Sequence, residues 1–194
     1  AGKVAEYPAP DLIALRDAGV TFRHLNGAAA LHRDRDVEAA DLLARIDGIR
    51  GERNGANLHF LRAANQGAAL ATGEFILFLN SDAEVAPGAV GHAVRALDED
   101  AKAGAVGGRI VLADGRLQEA GRIVWAGGAC FGIGRGADPD DAQFQFRREV
   151  DYCSGAFLMV RASLFRMLGG FDEAFAPAYY EETDLCMRLR HAGY

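Results

Sequence analysis

Asn80, Ser81 and Asp82 form a polar triplet directly after the apolar run Phe75–Leu79. An uninterrupted apolar run predicts a strand that is covered on both faces, as buried parallel strands of α/β sheets are. Ligands of such sheets bind beyond the carboxyl ends of the strands. A carboxylate there suits a hard divalent cation, and such a cation suits a diphosphate. The alternative is a turn that caps the next helix.

A second acidic group, Glu181, Glu182 and Asp184, opens a segment in which Leu185 and Leu189 repeat at helical spacing. Carboxylates in the first turn of a helix are favoured by the helix dipole, which is a purely structural explanation. Residues one apart on a helix point about 100° apart, so these three side chains cannot all face one ligand. Asp184 lies three residues after Glu181, and these two therefore share a side.

Residues 127–136 contain five glycines, and the spacing Gly132-x-Gly134-x-Gly136 is similar to that of a phosphate loop. No helical pattern follows, however, and the acidic residues 138–141 would repel a phosphate. We predict a mobile surface loop here, of the kind that forms a lid.

The bulk composition indicates one soluble globular domain. The chain has 194 residues, of which 50% are hydrophobic, and its net charge of −6 argues against a nucleic-acid partner. Cys130, Cys153 and Cys186 show no paired spacing, which predicts free thiols in a reducing compartment. No apolar run approaches the ~20 residues of a transmembrane helix. We expect the protein to be cytoplasmic, either free or bound at the inner face of the membrane.

Periodicity and turn residues predict most elements after residue 54. An alanine-rich helix precedes Thr72, a helix follows Pro87, and Asp114-Gly115 turns a hairpin between strands over 105–112 and 117–125. A strand over 150–160 and a short helix ending at Gly169-Gly170 follow. The mixed-charge patch over 32–36 is typical of a solvated loop.

Several stretches in a fixed order resemble glycosyltransferases of family 2, especially those that build rhamnose-containing and other bacterial surface polysaccharides. They are NQGAALATGEFILFLNSD, GGRI, DYCSGAFLMVR and LGGFDEAFAPAYYEETDLCMRLRHAGY, within residues 54–194. The resemblance implies the GT-A fold, an α/β fold with a mixed, mostly parallel sheet flanked by helices. It also implies one domain over 1–194, with a nucleotide-sugar half at 1–100 and an acceptor half at 101–194.

The resemblance also implies a set of site residues. The nucleotide-sugar residues are Asn57, Asn65, Asn80, Ser81 and Asp82, and Asp82 is in addition the ligand of Mn²⁺ or Mg²⁺. The acceptor residues are Gly155, Ala156, Tyr180 and Asp184. Glu182 matches the family's catalytic base, Glu181 is its partner in orienting the acceptor or capping the helix, and Asp172 is a structural turn.

The activity implied is inverting transfer of a sugar from a nucleotide-diphospho-sugar to a hydroxyl of a glycan or lipid-linked acceptor. Glu182 accepts the proton of the attacking hydroxyl, and the metal neutralises charge on the leaving diphosphate. The alternative is a non-catalytic remnant that binds a sugar or a protein partner. A nucleotidyltransferase is disfavoured, because no glycine-rich loop with Lys or Arg occurs near the N-terminus.

The chain departs from the family pattern in three places. Residues 1–50 lack a clear nucleotide motif, with only the weak match LHRDRD near its expected place. His59 stands where the family usually has glycine, and the chain ends shortly after the acidic helix, where the family continues. We therefore expect truncation at both ends and a donor affinity weaker than the micromolar-to-millimolar range common for substrates.

Overall fold

A computed structural model describes residues 54–80 and 83–194. Its helices are α1 His59–Leu70, α2 Ala89–Glu99, α3 Ala162–Met167 and α4 Glu181–His191. Its strands are β1 Phe75–Leu79, β2 Ala105–Gly107, β3 Ile110–Val111, β4 Leu117–Glu119, β5 Arg122–Val124, β6 Cys130–Gly132 and β7 Phe157–Arg161. Short 3-10 helices cover Ala142–Phe144 and Glu173–Phe175. The expectations for residues 1–53, for Ser81 and for Asp82 lie outside the described residues.

β7 is the central strand of a three-stranded sheet with the order β1-β7-β2. It pairs antiparallel with β1, with Phe75 opposite Arg161 and Leu79 opposite Phe157. It also pairs antiparallel with β2, so β1 and β2 run in the same direction on either side of it. The strand expected at Phe75–Leu79 is confirmed. A parallel neighbour was also expected for β1, but within residues 54–80 and 83–194 it has none.

Alternate residues of β1 contribute to two apolar clusters. Ile76 and Phe78 belong to the cluster that includes residues of α1, α3 and α4. Phe75 and Leu77 pack against the cluster that includes residues of α2. Because side chains alternate along a strand, the two clusters lie on opposite faces of the sheet. The predicted cover on both faces is therefore confirmed, and each fully buried side chain of this size stabilises the fold by about 1.5–3 kcal/mol.

Three aromatic rings join the strand to the helices around it. The ring centroids of Phe78 and Phe171 are 4.7 Å apart, and those of Phe165 and Phe171 are 5.3 Å apart. Such tilted and edge-on pairs contribute about 0.5–1.5 kcal/mol each beyond the area they bury. Phe165 lies in α3 and Phe171 lies in the segment that leads to α4, so this cluster connects the strand end to the start of α4.

The hairpin predicted at Asp114-Gly115 is present as β3–β4. Gly115 has φ 82°, and the Asp114 carboxylate accepts a hydrogen bond from the Arg116 N–H at 2.9 Å. The flanking strands are shorter than expected. The segment over 105–112 is divided into β2 and β3, and the segment over 117–125 is divided at Gly121, whose φ of 90° interrupts an extended strand.

The expectation of a mobile loop over residues 127–136 is wrong in part, because β6 lies within this segment and pairs antiparallel with β5. Glycine allows close packing in this segment. A Cβ on Gly132 would lie 3.1 Å from the Cβ of Glu119, and a Cβ on Gly134 would lie 2.5 Å from the Phe144 ring. These glycines bring backbone against neighbouring side chains, which explains their spacing without a phosphate.

The strand expected over 150–160 begins at Phe157, because residues 154–156 form a turn. The Phe157 N–H donates to the Ser154 carbonyl at 3.2 Å, and the Ala156 N–H donates to Ser154 Oγ at 3.2 Å. α4 begins at Glu181 as predicted and ends before Gly193, whose φ is 93°. In the part of the chain that is described, no helix has the length and apolar character needed to cross a bilayer.

Candidate active site

Glu182 lies in the first turn of α4 and is partly exposed as a residue, but one oxygen of its carboxylate is enclosed. Burial raises the pKa of this carboxyl, and its own N–H and the N–H of Gly155 partly oppose that effect. The Arg122 charge also lowers the pKa of Glu182, whereas the Glu119 charge raises it. Glu182 Oε2 is buried and has no hydrogen-bond partner. One carboxylate oxygen is therefore left for a donor that comes from outside the protein.

Glu181 is also buried, with 4% of its surface exposed. Burial raises its pKa, and the charge of Glu182 raises it further, while the N–H groups of Glu181 and Tyr179 oppose this. Glu181 Oε2 also lacks a hydrogen-bond partner. Two neighbouring carboxyls thus lie in poorly solvated surroundings, and raised carboxyl pKa values of this kind cluster at functional sites.

The end of β1 and the start of α4 meet at the turn over residues 154–156. The Asn80 N–H donates to the Ala156 carbonyl at 3.2 Å, and the Gly155 N–H faces the Glu182 carboxyl. Gly155 is buried, and a Cβ at this position would lie 3.3 Å from the ring of Phe60. The structure therefore brings together Asn80, Gly155, Ala156 and Glu182, which are far apart in the sequence.

Asp184 has a partner within its own helix. Arg188 Nε donates to Asp184 Oδ2 at 2.7 Å, and the same guanidinium donates to the carbonyls of Leu168 and Gly170 at 2.8 Å each. The carboxylate thus orients an arginine that fastens α4 to the turn after α3. A contact of Asp184 with an acceptor stays a prediction.

The two asparagines expected in the nucleotide pocket also have partners within the protein. Asn57 Oδ1 accepts from the His59 N–H at 2.8 Å at the start of α1. Asn65 makes two hydrogen bonds to the backbone of Phe171, at 2.8 and 2.9 Å. Both amides hold α1 in place, and their contact with a nucleotide stays a prediction.

Tyr179 and Tyr180 precede α4 with φ values of 80° and 70°. Bulky residues rarely adopt this left-handed conformation, and it costs on the order of 1–3 kcal/mol per residue. The Tyr180 hydroxyl donates to the Gly128 carbonyl at 3.2 Å, which connects the start of α4 to the β5–β6 turn. Tyr179 is 82% exposed beside it. Local strain of this kind is typical of a functional site.

A family model described as glycosyl transferase family 2 matches residues 32–168. This chain belongs to glycosyl transferase family 2. The resemblance carried by the sequence motifs is therefore confirmed. The match contains the strand end and the 154–156 turn, and α4 follows it.

Two bacterial proteins with assigned names are similar to this chain over much of its length. It is 28% identical to the N-acetylglucosaminyl-diphospho-decaprenol L-rhamnosyltransferase of Mycobacterium tuberculosis over 172 residues, which is 77% of this chain and 56% of that protein. It is 30% identical to the O-antigen biosynthesis protein RfbC of Myxococcus xanthus over 136 residues, or 66% and 10% of the two chains. The chain thus spans less than two thirds of the length of these relatives.

A solved structure confirms the GT-A fold. The mannosyltransferase PcManGT of Pyrobaculum calidifontis, in complex with GDP-Man and Mn²⁺, aligns with a TM-score of 0.57 over 85% of this chain and 42% of that chain. At 16% identity this likeness concerns the fold alone. The sheet with helices packed on both faces agrees with the α/β class expected from the sequence, although its described strand pairs are antiparallel where a mostly parallel sheet was expected.

The candidate metal ligand of this family 2 chain, Asp82, lies between the two described segments. Within those segments, no three His, Cys, Asp or Glu residues cluster in a way that could hold a metal ion. The expectation that Asp82 binds a metal ion therefore rests on its position in the sequence shortly after β1, and it stays a prediction.

Three residues near Glu182 escaped the sequence analysis, namely Glu119, Arg122 and Tyr152. Glu119 is 1% exposed and pairs with Arg122, with 2.5 Å between its Oε2 and the arginine Nε. Arg122 Nη1 also donates to the Tyr152 hydroxyl at 3.2 Å. The sequence contained one signal for Glu119. It lies two residues after the fully buried Leu117 on the same strand, and alternate residues share a face, so its carboxylate lies on the apolar face.

Proposed function

We propose that this chain carries the catalytic centre of an inverting glycosyltransferase that acts in surface polysaccharide synthesis. The donor is a nucleotide-diphospho-sugar, and the acceptor is a hydroxyl of a glycan or a lipid-linked glycan. The observation that supports this best is the connection from Asn80 through the 154–156 turn to Glu182. This connection supports the proposal because it joins the end of β1, where the donor is proposed to bind, to the carboxylate proposed to act on the acceptor.

In the proposed reaction, the acceptor hydroxyl donates its hydrogen bond to the free Oε2 of Glu182. Its oxygen attacks the anomeric carbon while the bond to the nucleoside diphosphate breaks on the opposite face, and the proton passes to Glu182. Burial raises the pKa of Glu182, and a higher pKa makes the carboxylate a stronger base. General-base assistance of this kind contributes typically ~10²–10⁴-fold to the rate.

Asp82 is proposed to hold Mn²⁺ or Mg²⁺, since its carboxylate follows the donor-side strand end and suits a hard cation. The structure of PcManGT, which has the same fold, was solved with Mn²⁺. When bound, such an ion neutralises charge on a leaving diphosphate. Asn57, Asn65, Asn80 and Ser81 are proposed to line the donor side, and Gly155, Ala156, Tyr180 and Asp184 the acceptor side.

Binding of the donor is tested first, by thermal shift with a panel of GDP-, UDP- and TDP-linked hexoses, with and without Mn²⁺. A ligand that binds only the folded state must raise the melting temperature. We expect at least one Mn²⁺-dependent stabilisation that Asp82→Asn abolishes, with the fold retained. Affinity for nucleotide and metal that is unchanged in Asp82→Asn would refute the metal assignment.

Turnover is tested with the donor so identified, as release of nucleoside diphosphate in the presence of an acceptor. Glu182→Gln should lose turnover by ~10²-fold or more while donor binding stays unchanged. Glu181→Gln is the matched control, because it makes the same chemical change one residue away. Equal and small losses in both variants would rule out the base assignment. Glycan binding without any donor binding would instead favour a non-catalytic module.

A further inference from the structure

Glu119 and Arg122 form an ion pair on the strands next to the candidate active site. The carboxylate of Glu119 is almost fully enclosed, and Arg122 Nε lies 2.5 Å from it. The guanidinium is also fixed by the Tyr152 hydroxyl at 3.2 Å and lies 5.7 Å from the centre of the Tyr152 ring. An enclosed pair costs desolvation energy that its mutual attraction often does not repay. Stability alone is therefore a weak explanation for it.

The position of this pair connects it to Glu182 by two routes. The Arg122 N–H donates to the Tyr152 carbonyl at 3.1 Å, and Tyr152 comes just before the turn whose Gly155 N–H faces Glu182. On the other side, the Tyr180 hydroxyl fastens the start of α4 to the turn of the β5–β6 hairpin that begins with Arg122. The hairpin and the helix are thus held against each other at the candidate base.

We propose that Arg122 is a positioning residue for Glu182, held by Glu119 and Tyr152 so that its guanidinium favours the ionised, proton-accepting carboxylate within a poorly solvated site. This inference rests on the proposed function. A buried carboxyl tends to keep its proton, whereas a general base must release it before the reaction begins. Arg122 supplies an attraction that counteracts burial, and Glu119 limits its strength.

The charged and titratable groups around Glu182 allow a test, because each is expected to change the pKa of Glu182 in a known direction. Those that act on it or respond to its charge are Arg122, Glu119, Glu181 and Cys186. Arg122 lowers the pKa of Glu182 and Glu119 raises it. If the ion pair served only to neutralise Glu119, then removing Arg122 after Glu119 has been replaced by Gln would leave the titration of Glu182 unaffected.

The experiment is a carboxyl NMR titration of the full chain labelled with [δ-¹³C]glutamate. Glu182→Gln assigns the Glu182 resonance by its disappearance. The titration of Glu182 is then compared in the wild type, in Glu119→Gln, and in the double variant Glu119→Gln/Arg122→Met. The double variant removes the guanidinium without leaving an unpaired carboxylate in the interior. Arg116→Met is the control, because it removes one arginine charge from the adjacent β3–β4 hairpin.

We expect Glu119→Gln to lower the pKa of Glu182, because it removes a repelling carboxylate and leaves the attraction of Arg122 unopposed. The double variant should raise it again, and Arg116→Met should leave it unchanged. The proposal is overturned if Glu182 titrates alike in the wild type and in Glu119→Gln. It is overturned equally if removal of Arg122 from the Glu119→Gln background has no effect. If the double variant does not fold, Glu119→Gln/Arg122→Gln makes the same comparison with a polar side chain in place of the guanidinium, and the same outcomes apply.

This titration does not need turnover, so its outcome is separable from that of the proposed function. A chain without transferase activity would refute the proposed function while the NMR result could still establish the coupling. In an active chain, the acidic limb of the pH profile of kcat should move in the same direction as the titration of Glu182 in each variant. Equal limbs in all variants, despite shifted titrations, would show that Arg122 has no part in catalysis.

Discussion

Arg188 donates a hydrogen bond to Asp184 one turn earlier in α4, with 2.7 Å between the arginine Nε and Asp184 Oδ2. Its other nitrogens reach the carbonyls of Leu168 and Gly170. The pair therefore fixes the position of α4, and with it Glu181 and Glu182, relative to the core. Of the acidic residues at the start of this helix, Asp184 is the one whose carboxylate has a guanidinium partner within the helix.

We predict that Arg188→Met lowers the free energy of unfolding by about 2–4 kcal/mol, because it leaves two carbonyls and a carboxylate without their donor. Urea denaturation followed by circular dichroism measures this. Arg62→Met is the control. Its ion pair with Glu173 has side chains 54% and 64% exposed, so its loss should change stability by less than about 1 kcal/mol. Similar losses in the two variants would contradict the assigned role of Arg188.

Local sequence signals predicted the elements that carry the site. The apolar run of β1, the Asp114-Gly115 turn and the helical spacing of Leu185 and Leu189 each depend on residues close together in the chain. Such patterns determine local conformation through side-chain periodicity and turn preference. For the same reason they placed Asn80 at a strand end and Glu182 in a first helical turn.

The contacts between these elements could not be predicted in the same way. Arg122 and Tyr152 are 30 residues apart, and Asn65 and Phe171 are 106 residues apart. No periodicity within one segment specifies such partners. Strand β6 was also missed, because it lies in a glycine-rich segment and glycine has low strand propensity. The glycine at its end, Gly132, packs against Glu119 of β4, a contact that the local sequence does not specify.

Gly134 and Gly136 provide a test of the structural role of the glycine-rich segment. Both have left-handed φ values, 74° and 82°, so alanine is strained at either position. A Cβ on Gly134 would also lie 2.5 Å from the Phe144 ring and 2.6 Å from Leu117, whereas a Cβ on Gly136 meets nothing within 4 Å. We predict that Gly136→Ala costs about 1 kcal/mol. Gly134→Ala should cost about 1–3 kcal/mol more, through overpacking.

Thermal or urea denaturation of these two variants gives the comparison directly. Since backbone strain is common to both, the difference between them isolates the packing of Phe144 and Leu117 around Gly134. Equal losses of stability would show that this segment does not pack as the structure has it. A loss of nucleotide binding in Gly136→Ala with stability unchanged would revive the phosphate-loop interpretation.

The cysteines should differ widely in their reaction with thiol reagents. Burial raises the pKa of Cys186 to about 11, and burial also raises the pKa of Cys153. Cys130 on β6 and Cys153 are both partly exposed as residues, whereas the thiol of Cys153 is enclosed. Because the thiolate is the reacting species, we predict that Cys186 in the native protein reacts at pH 8 about 10²-fold more slowly than a thiol of ordinary pKa, or slower still where access is blocked.

Reaction with Ellman's reagent should show one fast thiol in the native protein and three after denaturation. Cys130→Ser is the diagnostic variant, and it should remove the fast phase while leaving the slow phases in place. A fast phase that survives in Cys130→Ser would contradict the burial of Cys153 and Cys186.

The final prediction concerns the pH dependence that Glu181 gives to stability. Burial raises the pKa of this carboxyl above its ordinary value of 4.5, so the folded state holds the proton at pH values where the unfolded chain has released it. Stability therefore falls as pH rises from 4.5 through the raised pKa, and the loss is complete above it. Glu181→Gln removes the titrating group. Its free energy of unfolding relative to the wild type should increase across that window and then level off.

Urea denaturation of the wild type and Glu181→Gln at closely spaced pH values from 4 to 8 measures this difference. A difference that stays constant with pH would show that the Glu181 carboxyl is solvated, and the site would then lose the enclosed character on which the basicity of its neighbour depends. Glu182→Gln should show the same sign, because burial also raises the pKa of Glu182. In the background of Glu119→Gln, where Arg122 acts without an opposing charge, the pH-dependent part of the Glu182→Gln difference should shrink, whereas that of Glu181→Gln should change less.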